Sequence, residues 1–467
     1  MLTSGGDRRI WVRPGENTNQ YGASPFARST LGYASSTAND ISLAAFQHLE
    51  RIVAAWPSGF LLDQAAYRDR LDHARSRMRA AWDLRADTDI VFAPSGTDLE
   101  YVALALAGAR ARGPVTGILL GKDEVGSGCV HSAAGRYFAG ETALRKRVAA
   151  GTPIEGLAQT TLRDLPIRDE QGIPLSSRAV AAGIARIAGE EIAAGRHPLV
   201  HVVYGSKTGL VLPDLKQLEE LVSAFGPRAT FVVDACQVRI EGARLRRLIA
   251  LGCIVMLTGS KFIGGPPFSG FALVPAELAP AQRLPAGLAT VFRRAEWPTH
   301  WHGCEHLPAT VNPGLLLRIE AALFELERFT AIAPNARERV IAAFGAAVHG
   351  LAERLGARLV APSFGGPELH LSTLATLDLS PLPTSPDLAL ARRWHRVLAA
   401  RGLRLGQPVK CVHRADGEWA GTLRIGLSMP LIAELAGLPP GTLETRLQGD
   451  MLQVSEVIEA AQRPVVA

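Results

Sequence analysis

Four short segments place polar, reactive side chains directly after apolar runs. Leu257-Thr258-Gly259-Ser260-Lys261 ends in a lysine, and Gly264-Gly265-Pro266-Pro267 follows closely. Gly and Pro there imply a tight, fixed backbone beside the lysine. A desolvated lysine amine so held attacks a carbonyl carbon. Phe231-Val232-Val233-Asp234 puts a carboxylate at the rim of an apolar run, with Gln237 three residues on. An anion at that place is costly unless a cation faces it. Phe92-Ala93-Pro94-Ser95-Gly96-Thr97-Asp98 is a small-residue turn that opens a helical stretch from Leu99 to Gly108. Backbone N–H groups, two hydroxyls and the positive end of a helix suit a phosphate, although the same residues also serve as plain helix caps. The fourth segment is Tyr204-Gly205-Ser206-Lys207-Thr208-Gly209.

The elements that must position these residues can be read from the same sequence. The runs Ile90–Ala93, Gly117–Leu120, Leu199–Val203, Thr230–Val233 and Ile254–Leu257 are almost wholly apolar, as parallel strands covered on both faces are. Helical stretches, among them Arg178–Ala194 and Asp214–Phe225, fall between them, which predicts an α/β fold with a mainly parallel central sheet. Ligands of such sheets bind beyond the carboxyl ends of the strands, where all four segments lie. After about Pro313 the pattern changes to two long helices, Leu315–Phe329 and Asn335–Leu355, and two strand candidates, Leu369–Leu379 and Leu423–Leu427. A proline-rich loop, Pro381–Pro386, lies among them. The expected organisation is an N-terminal arm (1–40), a large α/β domain (41–313) and a smaller C-terminal α+β domain (314–467).

A lysine and an aspartate on the ends of neighbouring strands, beside a phosphate-type turn, suggest pyridoxal 5'-phosphate (PLP). The lysine would hold it as a Schiff base, and the aspartate would keep the pyridine nitrogen protonated and the ring an electron sink. In their order the segments resemble the fold-type I PLP-dependent enzymes, specifically the class V aminotransferase and cysteine desulfurase-like family, over roughly Gly32 to Ile432. The resemblance implies the fold of that group, with Lys261 and Asp234 catalytic. It implies a phosphate site of Ser95, Gly96, Thr97, Thr258 and Ser260, and places Ser206 and Gln237 near the ring's phenolic oxygen. Ala34-Ser35-Ser36-Thr37 resembles the segment that enters the site near the substrate carboxylate, which brings in Ser36. Arg424, in Gly421–Ser428, resembles the arginine that grips the substrate α-carboxylate as a bidentate fork; an ordinary surface arginine is the alternative. Glu305–Asn312 resembles the loop that crosses to a partner subunit and donates Thr310 to the partner's phosphate, which implies a homodimer with shared sites.

Three departures bear on the chemistry. Val125 stands where the family stacks a histidine on the cofactor ring, with His131 a few residues on, so the stacking residue stays open. Ser206 and Ser260 replace an asparagine and a histidine, which implies specialised substrate handling. Cys411, shortly before Arg424, occupies the region where desulfurases carry a sulfur-accepting thiol. Its neighbours Lys410, His413 and Arg414 would favour thiolate, while an unreactive structural thiol is the other reading. The expected reaction is a C–S lyase or desulfurase-like β-elimination on an amino acid. Aminotransfer is the alternative, with decarboxylation and racemisation also open. A phosphate- or nucleotide-binding protein without covalent chemistry is the non-enzymatic alternative.

Composition bounds the rest. The 467 residues are 47% hydrophobic and 20% charged, typical of a packed soluble enzyme. The net charge of +6 comes from scattered residues without a basic run, which argues against a nucleic-acid partner. The five cysteines (Cys129, Cys236, Cys253, Cys304 and Cys411) form no CxxC pair, so neither a disulfide framework nor a metal site is expected. The polar stretch Met1–Asn17 has no signal core, and no run reaches the roughly 18 apolar residues of a membrane span. A cytoplasmic protein with reduced thiols and no membrane association is expected.

Overall fold

The computed structural model describes residues 1–56, 62–126, 128–157, 159–362 and 368–462. Ser127, in the segment around Val125, and the last five residues of the expected small domain lie outside the described residues.

Strand β1 (Leu31–Tyr33) lies in the N-terminal arm. Eight strands then form one sheet: β2 (Asp89–Ala93), β3 (Val115–Leu120), β4 (Thr161–Leu165), β5 (His197–Tyr204), β6 (Val211–Leu212), β7 (Thr230–Asp234), β8 (Ile254–Thr258) and β9 (Gly270–Val274). Their order is β2-β9-β8-β7-β5-β3-β4, with β6 beside β5. The pairs β4–β3, β3–β5, β5–β7 and β7–β8 are parallel, whereas β9 runs antiparallel to both β8 and β2. Every residue of β2, β3, β5, β8 and β9 is buried, because helices cover both faces. The alternation along β2 shows the two layers. Ile90 and Phe92 join a core with helices Leu43–Ala54, Gln64–Ala81 and Pro313–Thr330, and Val91 and Ala93 join a second core with helix Leu99–Arg110.

The remaining strands build smaller sheets. β10 (Arg358–Leu359), β11 (Leu374–Asp378) and β13 (Thr422–Gly426) pair antiparallel, and β12 (Leu403–Leu405) pairs parallel with β1. The expected strand Leu369–Leu379 is half right. Its first five residues form a 3-10 turn, Leu369–Thr373, and only Leu374–Asp378 is strand. Helix starts follow ordinary capping chemistry: Ser42, Asp63, Ser176, Asp214 and Asp387 each accept a backbone N–H in the first turn.

The N-terminal arm is pinned rather than loose. Arg318, fully buried on helix Pro313–Thr330, donates to the carbonyls of Leu2, Ser4 and Gly5 at 3.0, 2.6 and 3.3 Å. Asn312 caps the same helix through Leu315 N–H and donates its amide to Gly5 O at 2.9 Å. Those contacts hold a short 3-10 turn, Arg8–Ile10, against the large sheet. No helix among the described residues is long and apolar enough to cross a membrane.

Candidate active site

The carboxyl ends of β2, β5, β7 and β8 open onto one cleft of about 510 Å³. It is lined by Ser36, Ser95, Gly96, Thr97, Ser206, Asp234, Gln237, Thr258, Ser260, Lys261 and Arg424, so the structure brings together every expected site residue except Thr310. Thr310 is exposed and does not line the cleft of its own chain.

One end of the cleft suits an oxyanion. The chain leaves β2 through Ser95-Gly96-Thr97 into helix Leu99–Arg110, whose first N–H groups lack partners within the helix. A Cβ on Gly96 would come within 2.8 Å of the Thr258 methyl, so only glycine fits between the turn and β8. Thr258 itself donates to Cys236 O at 2.7 Å.

The arm adds a residue that the sequence reading missed. Arg9 reaches the turn and donates to Thr97 Oγ1 (3.3 Å) and Ser95 Oγ (3.2 Å), while its Nε and Nη2 hold Asp7. Its guanidinium lies 4.5 Å from the Phe138 ring centroid and 5.3 Å from that of Phe268. Burial opposes its charge, but the hydrogen bonds and charge of Asp7 outweigh burial and hold its pKa above the ordinary value. Asp98, which accepts the Ser95 hydroxyl at 2.6 Å, is pushed up to about 7 by burial and by Asp7.

The middle of the cleft carries the lysine and the carboxylate. Lys261 lies in the connection between antiparallel β8 and β9, closed by Gly259 N–H to Ser269 O and Gly265 N–H to Gly259 O, both 2.9 Å. Asn39 donates to the carbonyls of Ser260 (3.1 Å) and Lys261 (3.0 Å), and Phe262 N–H to Gln237 O ties this connection to the segment after β7. The backbone at the lysine is therefore fixed from three directions. Asp234 accepts Cys236 N–H on Oδ1 at 3.0 Å and forms no ion pair among the described residues. Gln237 is 4% exposed, and its Oε1 has no partner. Behind Asp234, on the same face of the sheet, Glu100 Oε2 lies 3.1 Å from His201 Nδ1, too poorly aligned for a hydrogen bond. Burial lowers the His201 pKa to about 4, so its ring is neutral near pH 7, and raises that of Glu100 well above its ordinary value.

At the other end, Ser206 donates to Glu124 (2.8 Å), which is locked to Arg168 at 2.7 Å. Arg424 on β13 is buried and donates to the carbonyls of Gln407 (2.9 Å) and Lys207 (3.2 Å). Burial lowers its pKa to about 10. Val125 lines the cleft and His131 does not, so an aliphatic side chain occupies the position expected to carry a stacking imidazole.

Of the two readings of Cys411, the structure favours the structural thiol. Cys411 is 1% exposed, does not line the cleft, and burial pushes its thiol up to about 12. Burial raises the thiol's pKa more than Arg168 and Arg424 lower it, which supports the unreactive reading.

No family model matches the sequence, and no curated protein is similar to it. Solved structures do resemble it. A cysteine desulfurase from Escherichia coli matches with a TM-score of 0.57 at 15% identity, covering 92% of this chain and 94% of that one. An alanine–glyoxylate aminotransferase from Nostoc sp. matches with 0.57 at 15% identity, covering 98% and 99%. A serine palmitoyltransferase from S. paucimobilis, solved with bound PLP–myriocin aldimine, matches with 0.52 at 14% identity, covering 92% and 88%. At such identities the likeness is one of fold alone.

Proposed function

We propose that the chain is a PLP-dependent enzyme acting on an amino acid, with this cleft as its active site. The observation that carries the proposal is the meeting of Lys261, Asp234 and the Ser95-Gly96-Thr97 turn in one cleft. The donor set fits the cofactor. A glycine-only turn with two hydroxyls and Arg9 suits a phosphate, an unpaired Asp234 carboxylate suits a pyridinium N–H, and the partnerless amide oxygen of Gln237 marks a buried polar atom awaiting a ligand. A purely phosphate-binding protein would leave Lys261, Asp234 and Gln237 without a role.

Bound there, PLP would supply an electron sink for charge developing at the substrate α-carbon. Lys261 would hold the cofactor covalently, and its Nζ would then move the α-proton, from a backbone that Asn39 and the loop closures keep in place. Asp234 would hold a proton on the ring nitrogen, with neutral His201 behind it adding no competing positive charge. Val125 would cover one ring face and exclude water. Arg424 would orient the substrate carboxylate, and Ser36 would lie beside it. Thr310 would act across a homodimer interface on the partner's phosphate. The protein would work in the cytoplasm.

For the bond broken, the reading is a β-elimination of the C–S lyase type without sulfur transfer to Cys411, since that thiol is buried. Aminotransfer is the second reading, the activity named for the Nostoc protein of like fold. Purified protein decides the main point. It should absorb near the violet edge of the visible and be bleached by borohydride, and Lys261→Ala should lose the band. Colourless protein that takes up no added PLP would refute the proposal. Assays of sulfide, pyruvate and keto-acid-dependent amine transfer across amino acids then separate the two reactions.

A further inference from the structure

We infer that the amino-acid substrate carries a second anionic group, and that Lys207, Arg392 and Lys410 receive it at the mouth of the cleft. The inference rests on the active site proposed above and names its substrate class. Beside Arg424, these three cations reach the cleft from three separate elements. Lys207 sits in the turn after β5, Arg392 on helix Leu388–Ala400, and Lys410 on the segment between β12 and β13.

Among the described residues none of the four forms an ion pair with a carboxylate. Lys207 Nζ, half-buried, donates to a single acceptor, the carbonyl of Asp123 at 2.9 Å. Lys410 lies 5.8 Å from the Trp419 ring centroid, and Arg392 makes neither a hydrogen bond nor an ion pair. Arg424 is joined to Lys207 through the latter's carbonyl, which crowds two like charges together.

The acids that line the cleft do not balance them. Glu124 is consumed by Arg168, Ser206 and Thr208. Glu100 lies behind Asp234 against His201, and Asp234 faces the middle of the cleft. Only exposed Asp123 remains at this end. Single lysines scattered on a surface need no explanation, but an uncompensated group converging on one concavity focuses positive potential there. A monocarboxylate at Arg424 neutralises one charge and leaves the other three unmatched. A side-chain carboxylate, sulfonate or phosphate supplies the missing anion.

The test is a spectral titration of the PLP-loaded protein with L-alanine, L-aspartate, L-cysteate and O-phospho-L-serine. The dianionic amino acids should bind about tenfold or more tightly than alanine, the expected yield of charge-assisted contacts in a partly screened site. The ranking of the three identifies the anion. Lys207→Gln, and separately Arg392→Gln with Lys410→Gln, should shrink that preference while alanine affinity stays within about twofold, because each removes only rim charge. A second arm uses protein without added cofactor. Succinate should raise its melting temperature more than propionate does, and the rim variants should lose the difference. Equal binding of alanine and all three dianions, or a preference that survives the rim substitutions, overturns the inference. If no PLP is taken up, the functional proposal fails, yet the succinate arm still decides this one.

Discussion

Arg9 offers the sharpest test of how the cleft would hold the proposed cofactor. The prediction is that Arg9→Ala weakens binding of PLP but not of pyridoxal, which lacks the phosphate. In the structure Arg9 spends Nε and one Nη2 bond on Asp7 and directs the rest of its fork at Ser95 and Thr97. A phosphate oxygen seated in that turn takes over at least one of these donors. One charge-assisted hydrogen bond is worth about 1.5–3 kcal/mol, so affinity should fall roughly ten- to hundred-fold. Removing Arg9 alone also strands Asp7, which is 3% exposed, so the double variant Asp7→Asn with Arg9→Ala checks that the arm still docks. Arg9→Lys should fall between, keeping the charge without the planar fork. Equilibrium dialysis of both ligands against each variant gives the ratio directly. Equal losses for PLP and pyridoxal would mean that the arm had merely come undone, and no loss for either would mean that Arg9 does not touch the phosphate; both outcomes refute the reasoning.

Other predictions follow from single distances. Gly96→Ala, whose Cβ would press to 2.8 Å on Thr258, should lower PLP affinity at least tenfold, read by the same dialysis. Cys411→Ser should leave turnover unchanged, and the native thiol should resist a thiol reagent until the protein unfolds, because burial holds it at about 12. Asp98 titrates at about 7 in the folded chain and about 3.9 unfolded. Its folded carboxyl keeps a proton that the unfolded one has lost, so it costs stability increasingly as pH rises through that window. Asp98→Asn should therefore gain on the wild type between pH 4 and 7 by on the order of 1 kcal/mol per pH unit in denaturant titrations. Lys261→Ala should abolish borohydride-fixed cofactor, detected as a mass increase in the wild type alone.

What could be read in advance divides along physical lines. β2, β5, β7 and β8 were legible because strands buried on both faces must be continuously apolar, and the polar residues that end them had to stand at the rim. Arg9 was not legible, because an arm with no periodicity gives no sign of where it docks, and its partners in the cleft, Ser95 and Thr97, lie 86 and 88 residues away. Cys411 stayed open for the converse reason. Lys410, His413 and Arg414 are near it in sequence, but His413 stacks on Trp419 at 3.8 Å and Lys410 is exposed, while the thiol points into the core. Leu369–Thr373 carries the composition of a strand yet coils into a turn, its Thr373 hydroxyl donating to His370 O at 2.5 Å.

The anchoring of the first five residues by Arg318 has a consequence for assembly. Their docking partner is made some 300 residues after them, so this segment must wait for helix Pro313–Thr330 before it finds its seat. The turn at Ser95 therefore gains its arginine among the last steps of maturation.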